Sequence, residues 1–154
     1  MSYIIFLLVI KCIYPKVILL NNVCVVVVGH GSRLPETKEV YEKVGKLAGE
    51  KLGVPTKVAY MKHWEPSIYE AVTSSIKEGF KKIVVVPLFL LPGLHVTDDI
   101  PVILGLKEGK TDENNSIVKA PEDVEIIYTA NIGGDERLAE IVKDRVNSAL
   151  GKLL

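Results

Sequence analysis

Two runs of β-branched residues restrict what this chain can fold into more than any other feature. Residues 23–28 (VCVVVV) and 82–88 (KIVVVPL) are apolar at almost every position, without the alternation of a strand that has one solvated face. Strands of this kind are buried on both faces, as in the centre of a parallel sheet. Amphipathic segments separate them, so we predict an α/β fold: a single doubly wound domain with a mainly parallel four-stranded sheet.

Turn residues and apolar periodicity define the other elements of the domain. Gly53 and Gly79 follow helical patterns as C-terminal caps, and Pro66 is expected in the first turn of the second helix. The predicted strands are 23–28, 55–61, 82–88 and 124–129, and the predicted helices are 36–52, Pro66 to Gly79, and 135–153. The last helix is expected to turn one apolar face toward the sheet, formed by Leu138, Ile141, Val142, Ala149 and Leu150.

The composition excludes several classes of function. The 154 residues suffice for one domain with a substantial core, and 19 Lys and Arg balance 19 Asp and Glu to a formal net charge of zero. No global cationic field therefore exists to hold nucleic acid or an anionic membrane. Cys12 and Cys24 are too few for a disulfide framework, which favours a reduced, cytoplasmic protein.

The apolar segment at residues 3–20 stands apart from this pattern. Lys11 would lie near the centre of a bilayer, and no small-residue cleavage pattern follows the run, so we expect neither a membrane span nor a signal peptide. We divide the chain into an amino-terminal extension at 1–22 and a domain at 23–154, with a polar insertion loop at 107–123. The extension is expected to pack as a strand or helix on the domain or at an oligomer contact.

The predicted topology places two histidines at one point of the sheet. In an open doubly wound sheet, ligands bind beyond the carboxyl ends of the strands, where the winding direction reverses. With right-handed crossovers and the common strand order 2-1-3-4, this point lies between the first and third strands. Their loops read GHGSR and LLPGLH, so His30 and His95 are predicted to converge. Imidazoles from strands about 4.8 Å apart can bind one cation through metal–nitrogen bonds of about 2.0–2.1 Å.

Glycines accompany both histidines. Gly29 and Gly31 flank His30, and Gly93 stands two residues before His95. Residues without a Cβ permit backbone conformations and a close ligand approach that other residues block. A flat ligand pressed against this backbone is the functional interpretation of the pattern.

Further polar residues follow strands at the same edge. Glu65 is the candidate third group, because a carboxylate near a metal and two imidazoles accepts protons or orients the ion. The alternative is an acidic residue that stabilises a helix N-terminus. Asp98 and Asp99 are expected to cap the segment that begins at Ile100. Four more residues are either packing and surface positions or contacts of a ligand: His63, Trp64, Arg33 and Lys62.

Three blocks of the sequence resemble a known family of enzymes. VVVVGHGSR (25–33), EPSIYEAV (65–72) and VVVPLFLLPGLHVTDDIP (84–101) occur in the order and spacing of the short, single-domain class II chelatases. These are the archaeal sirohydrochlorin cobaltochelatases and nickelochelatases. The similarity runs from about Val23 to Arg145, and the pattern GLHxTxDIP after a buried strand is its most specific part.

The resemblance implies insertion of Co²⁺ or Ni²⁺ into sirohydrochlorin, with release of two protons, for cobalamin or nickel-tetrapyrrole biosynthesis. It implies His30 and His95 as metal ligands and His30 also as a proton acceptor. Glu65 would contact the tetrapyrrole, and no cofactor would be bound permanently. The bed of the substrate would consist of Leu90, Leu91, Pro92, Gly93, Leu94 and His95. A homodimer with equivalent contacts would complete the cleft.

The sequence also departs from this family and leaves alternatives open. The insertion at 107–123 lacks the histidines that some relatives carry in this region, and the apolar extension is not part of the family pattern. The same two histidines would serve a cobalt or nickel carrier or sensor without chelatase activity. A phosphate-handling enzyme is a weaker alternative, because GHGSR lacks the Arg that precedes the His of histidine phosphatases and no GxxxxGK[ST] motif occurs.

Overall fold

Four parallel strands form the sheet of the domain, in the order β2-β1-β3-β4. The computed structural model describes residues 22–111 and 116–151. Both the parallel direction and the order confirm the prediction from the two apolar runs. The strands are β1 (Val23–Gly29), β2 (Thr56–Tyr60), β3 (Lys82–Pro87) and β4 (Glu125–Tyr128).

Helices follow each strand, as the amphipathic segments predicted. They are α1 (Pro35–Leu52), α2 (Ile68–Lys77), α3 (Ile100–Ile103) and α4 (Glu136–Ala149), and a π-helical turn, His95–Asp99, runs directly into α3. Helix α1 ends at Gly53, whose φ of 67° is the left-handed conformation expected of a C-terminal cap. Helix α2 begins at Ile68, two residues later than predicted. Ser67 caps it through a reciprocal pair of hydrogen bonds with Glu70, and Pro66 precedes the cap instead of lying in the first turn.

One face of the sheet carries the main core of the domain. Val26 and Val28 of β1 and Ile83 and Val85 of β3 are fully buried there. The apolar sides of α2 and α3 cover this face with Ile68, Ala71, Val72, Ile100 and Ile103. Burial of each such aliphatic side chain contributes about 1.5–3 kcal/mol, so this layer holds the strands in register.

The opposite face of the sheet is covered less completely. Helix α1 lies close to β2 at Gly45, where a Cβ would come within 2.4 Å of the Val58 side chain. Gly45 is the only residue of α1 that is buried, and Val40 on the same helix is 60% exposed. On the sheet itself, Val84 and Val86 are half-buried.

The predicted packing of the last helix is wrong. None of the side chains of α4 is buried. Ile141 and Val142 on the helix are 48% and 62% exposed, and Leu150, just beyond its last residue, is 64% exposed. The period of a helix shows that one side is apolar, but it does not show which surface covers that side. The apolar side of α4 is therefore not covered by the residues that the structure describes.

Several predictions fall on other parts of the chain. The segment 3–20 and Cys12 lie outside the described residues, whereas Cys24 is a buried free thiol whose pKa is raised by desolvation.

The described parts of the insertion at 107–123 form no helix or strand, although Val118 is buried and its amide donates to the carbonyl of Ile103. Within the described ranges, no helix has the length and apolar character needed to cross a membrane.

Candidate metal centre

The predicted convergence of two histidines is present at the carboxyl edge of the sheet. Strands β1 and β3 run side by side up to Val28 and Pro87, and the amide of Leu88 still donates to the carbonyl of Val28. Beyond this point the two chains separate into loops. The imidazole rings of His30 and His95 face each other there, with centroids 5.0 Å apart and planes inclined by 51°.

This separation fits a shared metal ion. Two imidazoles that bind one tetrahedral cation through bonds of about 2.0–2.1 Å place their ring centres about 5 Å apart, and the observed distance is 5.0 Å. Among the described residues, no group of three or more His, Cys, Asp or Glu side chains forms a closed metal site. The arrangement is therefore a pair of imidazoles at an open edge.

The loop that carries His30 is held by its backbone. The amides of Met61 and Lys62, which follow β2, donate to the carbonyls of Gly29 and His30 at 3.0 Å each. Gly31 has a φ of 85°, and a Cβ at this position would lie 1.8 Å from the carbonyl oxygen of Lys62. The predicted need for glycine beside His30 is thus confirmed, since no other residue fits against the neighbouring loop.

The turn that carries His95 is held by side chains. Nδ1 of His95 lies 2.6 Å from Oδ2 of Asp99, four residues along the π-helical turn. Asp99 occupies the predicted position at the N-cap of α3, but the expected capping bond is absent, because its side chain makes no hydrogen bond to the first turn of that helix. Asp98 is not a cap: its carboxylate accepts from Thr97 and Lys107, and these bonds lower its pKa.

These contacts determine which nitrogen carries the hydrogen in each neutral imidazole ring. Nδ1 of His30 is 2.9 Å from the carbonyl oxygen of Gly31, and Nδ1 of His95 faces a carboxylate. Both partners are acceptors, so Nδ1 carries the hydrogen in each case. Nε2 of each neutral ring then has a free lone pair, which is the form that binds a divalent metal.

A shelf of exposed leucines adjoins the histidine pair. We call Leu90, Leu91 and Leu94 the leucine shelf; they are 58%, 77% and 76% exposed. Pro92 and Gly93 are also exposed, and a Cβ on Gly93 would meet no atom within 4 Å. Clusters of exposed apolar side chains are typical of interaction surfaces, so the substrate bed predicted at residues 90–95 stays a prediction.

Two residues that support this loop were not found from the sequence. Nδ2 of Asn131 donates to the carbonyls of Phe89 and Leu90 at 3.3 and 2.8 Å. The hydroxyl of Tyr128 donates to the carbonyl of Val96 at 2.9 Å, and burial raises the pKa of this tyrosine to about 12. Tyr128 is the last residue of β4, and Asn131 follows that strand. Because β4 lies beside β3 in the sheet, the position of these residues at the end of β4 was the one signal that could have identified them.

The remaining candidates lie on the loop between β2 and α2. The amide of Tyr60 donates to the carbonyl of Pro66, which closes this loop over residues 61–66. Glu65, His63 and Lys62 are exposed on it, and His63 adopts a φ of 69°. Within the described part of the chain, no hydrogen bond or ion pair joins Glu65 to the histidine pair, so its role stays a prediction.

Trp64 and Arg33 complete the set of candidates. Trp64 is half-buried beneath Lys38, whose ammonium lies 5.5 Å from the ring centroid, and its Nε1 has no hydrogen-bond partner among the described residues. This placement is typical of a packing residue with a cation–π contact. Arg33 is exposed at the end of the GHGSR loop.

Fold and site together define the class of the protein: a doubly wound α/β domain that presents two imidazoles, free at Nε2, at its topological switch point. A family model described as CbiX matches residues 24–149. The chain belongs to the CbiX family.

Two relatives are similar over most of this chain. The sirohydrochlorin cobaltochelatase of Methanopyrus kandleri is 42% identical over 141 residues, which cover 84% of this chain and 99% of the relative. The sirohydrochlorin cobaltochelatase of Methanocaldococcus jannaschii is 40% identical over 135 residues, covering 78% and 94%.

Solved structures show the same fold. A cobalamin (vitamin B12) biosynthesis CbiX protein from Marinobacter aquaeolei VT8 matches with a TM-score of 0.64 and 28% identity, covering 84% of this chain and 98% of that one. The sirohydrochlorin chelatase SirB from Bacillus subtilis subspecies spizizenii, in complex with cobalt, matches with a TM-score of 0.63 and 27% identity. That alignment covers 82% of this chain but 50% of SirB.

Proposed function

We propose that this protein is a sirohydrochlorin chelatase that inserts Co²⁺ or Ni²⁺ into the macrocycle. The observation that carries the proposal is the placement of two imidazoles, 5.0 Å apart, beside an exposed leucine shelf. Metal ligands alone would suit a carrier, whereas an adjacent apolar surface suits a flat organic substrate. Relatives that are 37–42% identical are named sirohydrochlorin cobaltochelatases, which supports this substrate.

The metal is a substrate in this reaction. Imidazole nitrogen binds late first-row divalent ions well. The Irving–Williams order favours nickel over cobalt at any site of this kind, so these ligands do not select cobalt by affinity. The supply of each metal therefore decides which ion is inserted. His30 and His95 hold the ion through Nε2, and water fills its other positions. An ion with replaceable ligands can be transferred to the four nitrogens of the macrocycle.

Two protons leave the macrocycle as the metal enters. Each pyrrolic nitrogen that loses its proton keeps the electron pair and donates it to the metal, so the charge of the ion is balanced without a redox step. An imidazole nitrogen that binds metal cannot accept a proton at the same time. His30 therefore accepts a proton after it has released the ion, or the proton passes to Glu65.

Basic residues at the rim suit a substrate with many carboxylates. Arg33 and Lys62 are exposed on the loops after β1 and β2. We expect them to bind peripheral carboxylates of the tetrapyrrole, while its apolar face lies on the leucine shelf and the backbone of residues 90–95.

An absorbance assay tests the proposal. Purified protein is mixed with sirohydrochlorin and, separately, Co²⁺, Ni²⁺ and Fe²⁺, against mixtures without protein. The expected result is a protein-dependent spectral shift that His30→Ala and His95→Ala abolish. His63→Asn is the matched control, because it removes an exposed imidazole from the same edge at a left-handed position that asparagine tolerates.

Unchanged turnover in the His95→Ala variant would remove the metal-site assignment. Metal binding without any acceleration of insertion would favour the carrier. Glu65→Ala separates the two proton routes: it slows turnover if the proton passes to Glu65, and leaves turnover unchanged if His30 accepts it.

The functional unit that we propose is a homodimer. The apolar side of α4 and the half-covered face of the sheet are two apolar surfaces that do not bury each other within one chain. In an isologous dimer, the helix of each copy can cover a surface of the other. This chain also covers 47–50% of the SirB chains, so two copies match the length of one SirB molecule.

Light scattering coupled to size exclusion tests the dimer. Val142 is 62% exposed, so Val142→Asp should not unfold the protomer, and we expect it to convert the dimer to a monomer. Asn147→Asp adds the same charge on the polar side of α4 and should leave the dimer intact. A wild-type monomer, or a dimeric Val142→Asp variant, would contradict the proposal. If only deletion of residues 2–20 abolished the dimer, the extension would form the contact instead.

A further inference from the structure

The histidine pair is asymmetric in how each ring is held. His30 donates from Nδ1 to the carbonyl of the next residue, Gly31, whereas His95 donates to the carboxylate of Asp99. The two distances are 2.9 and 2.6 Å. A hydrogen bond to an ionised acceptor is about twice as strong as one between neutral groups. The ring of His95 is thus the more firmly oriented of the two.

We infer that Asp99 is a positioning residue that holds His95 in the Nε2-binding tautomer and orientation and makes it the principal anchor for the metal. This inference rests on the proposed function for the identity of the metal. Carboxylates that accept from the other nitrogen of a metal-binding histidine orient the ring, and their loss typically reduces metal affinity about 10–100-fold.

The local backbone explains why this pair forms. Residues four apart on a helical turn lie on the same side. Here the turn is π-helical, and the amide of Ile100 donates to the carbonyl of His95 five residues before it. Because its carboxylate contacts the imidazole, Asp99 makes no capping bond to α3. Single π turns of this kind frequently occur at functional sites.

The neighbouring acid provides a matched control. Asp98 adjoins Asp99 in sequence, yet its carboxylate binds the hydroxyl of Thr97 and the ammonium of Lys107, away from the ring. The two acids carry the same charge on the same turn. A general electrostatic effect on a divalent cation would therefore depend on both acids, whereas an orienting effect depends on Asp99 alone.

Titration of the protein with Co²⁺, without tetrapyrrole, measures the anchoring directly. We expect Asp99→Ala to weaken Co²⁺ binding about 10–100-fold. Asp99→Asn, which retains an acceptor oxygen of the same shape, should have an intermediate effect, and Asp98→Asn should stay within about threefold of wild type. Because Asp99 is half exposed, circular dichroism should show all three variants folded.

The tautomer gives a second readout that a general structural role would not change. In ¹⁵N NMR spectra of metal-free protein, neutral His95 should show a protonated Nδ1 and an unprotonated Nε2 in wild type and in Asp98→Asn. Asp99→Ala should give a mixture of both tautomers, because no carboxylate then selects Nδ1.

Wild-type Co²⁺ affinity and an unchanged tautomer in Asp99→Ala would overturn the inference. An equal loss in Asp98→Asn and Asp99→Asn would also overturn it in favour of general charge. Because this experiment contains no sirohydrochlorin, its outcome is separate from the proposed function: Asp99-dependent Co²⁺ binding without insertion activity would support the inference and contradict the chelatase.

Discussion

The two loops that carry the histidines reach the same point by different means. The loop after β1 is fixed through its backbone: carbonyls of Gly29 and His30 accept from the strand-end amides of β2, and Gly31 fits directly against a neighbouring carbonyl. The turn after β3 accepts one backbone bond, from the amide of Ile132 to the carbonyl of Phe89, and depends further on three side chains: Asp99, Tyr128 and Asn131.

This difference predicts how each loop responds to substitution. A site held by backbone contacts has no room for an added methyl group, but it does not depend on particular neighbouring side chains. A site held by side chains loses its geometry stepwise, as each bond of about 0.5–1.5 kcal/mol is removed. Substitutions that change one contact at a time can therefore distinguish the two loops.

The largest effect is expected for Gly31→Ala. The new Cβ would lie 1.8 Å from the carbonyl oxygen of Lys62, and the φ of 85° is itself unfavourable for alanine. Left-handed strain alone costs about 1–3 kcal/mol, and displacement of a backbone carbonyl adds to it. Chemical denaturation should show a loss of more than about 3 kcal/mol, or no folded protein. A variant as stable as wild type, with normal Co²⁺ affinity, would show that the two loops are not in contact.

The second effect concerns Asn131. Asn131→Ala removes the side-chain donor of the Leu90 carbonyl and leaves the Phe89 carbonyl with its bond from the Ile132 amide. The free energy of unfolding should therefore fall by about 1–2 kcal/mol. The Michaelis constant for sirohydrochlorin should rise, because the leucine shelf loses its support. Asn131→Asp should be worse than alanine, since a carboxylate would face two carbonyl oxygens. Equal behaviour of the two variants would argue against this contact.

Tyr128→Phe should have a smaller and pH-dependent effect. Loss of the bond to the Val96 carbonyl should cost about 0.5–1.5 kcal/mol near neutral pH. Burial raises the folded-state pKa of Tyr128 to about 12, above the unfolded value of about 10. The wild type therefore keeps its full stability below pH 10 and becomes less stable as the pH rises toward 12, because the unfolded state ionises first. The phenylalanine variant lacks this loss, and the two stability curves should approach each other over that range.

Tyr60→Phe is the control for this measurement. The buried hydroxyl of Tyr60 has no hydrogen-bond partner among the described residues, so its removal should not destabilise the protein near neutral pH. If Tyr60→Phe and Tyr128→Phe lost the same stability, the bond to Val96 would not explain the second result.

The smallest change in stability is expected for Gly93→Ala. A Cβ at Gly93 would meet no atom within 4 Å, in contrast to the one at Gly31, so the free energy of unfolding should change by less than about 0.5 kcal/mol. If the tetrapyrrole lies against this backbone, the Michaelis constant for sirohydrochlorin should still rise. Unchanged kinetics would place the macrocycle elsewhere.

The sequence predicted the sheet and the histidine pair because both follow from general rules. Strands buried on both faces are rich in β-branched residues, which identified β1 and β3 as central. Right-handed crossovers then set the strand order, and the reversal of winding selected the loops of His30 and His95. Each step requires only the apolar pattern of the sequence and general rules of α/β topology.

The supports of His95 could not be predicted in the same way. The pair Asp98–Asp99 before Ile100-Pro101 has the pattern of a helix cap, and only the π-helical turn directs Asp99 to the ring. Asn131 acts through a loop that is 41 residues away in sequence. The exposure of α4 could not be predicted for a similar reason: helical periodicity identifies an apolar side but not the surface that covers it.

A crystal structure of the protein soaked with Co²⁺, with anomalous scattering recorded at the cobalt edge, would show directly whether both rings bind one ion. We expect one anomalous peak at about 2.0–2.1 Å from Nε2 of both His30 and His95. Nδ1 of His95 should remain bonded to Asp99. A cobalt ion bound at His63, or at only one ring through Nδ1, would contradict the claim that the two loops build a single metal site.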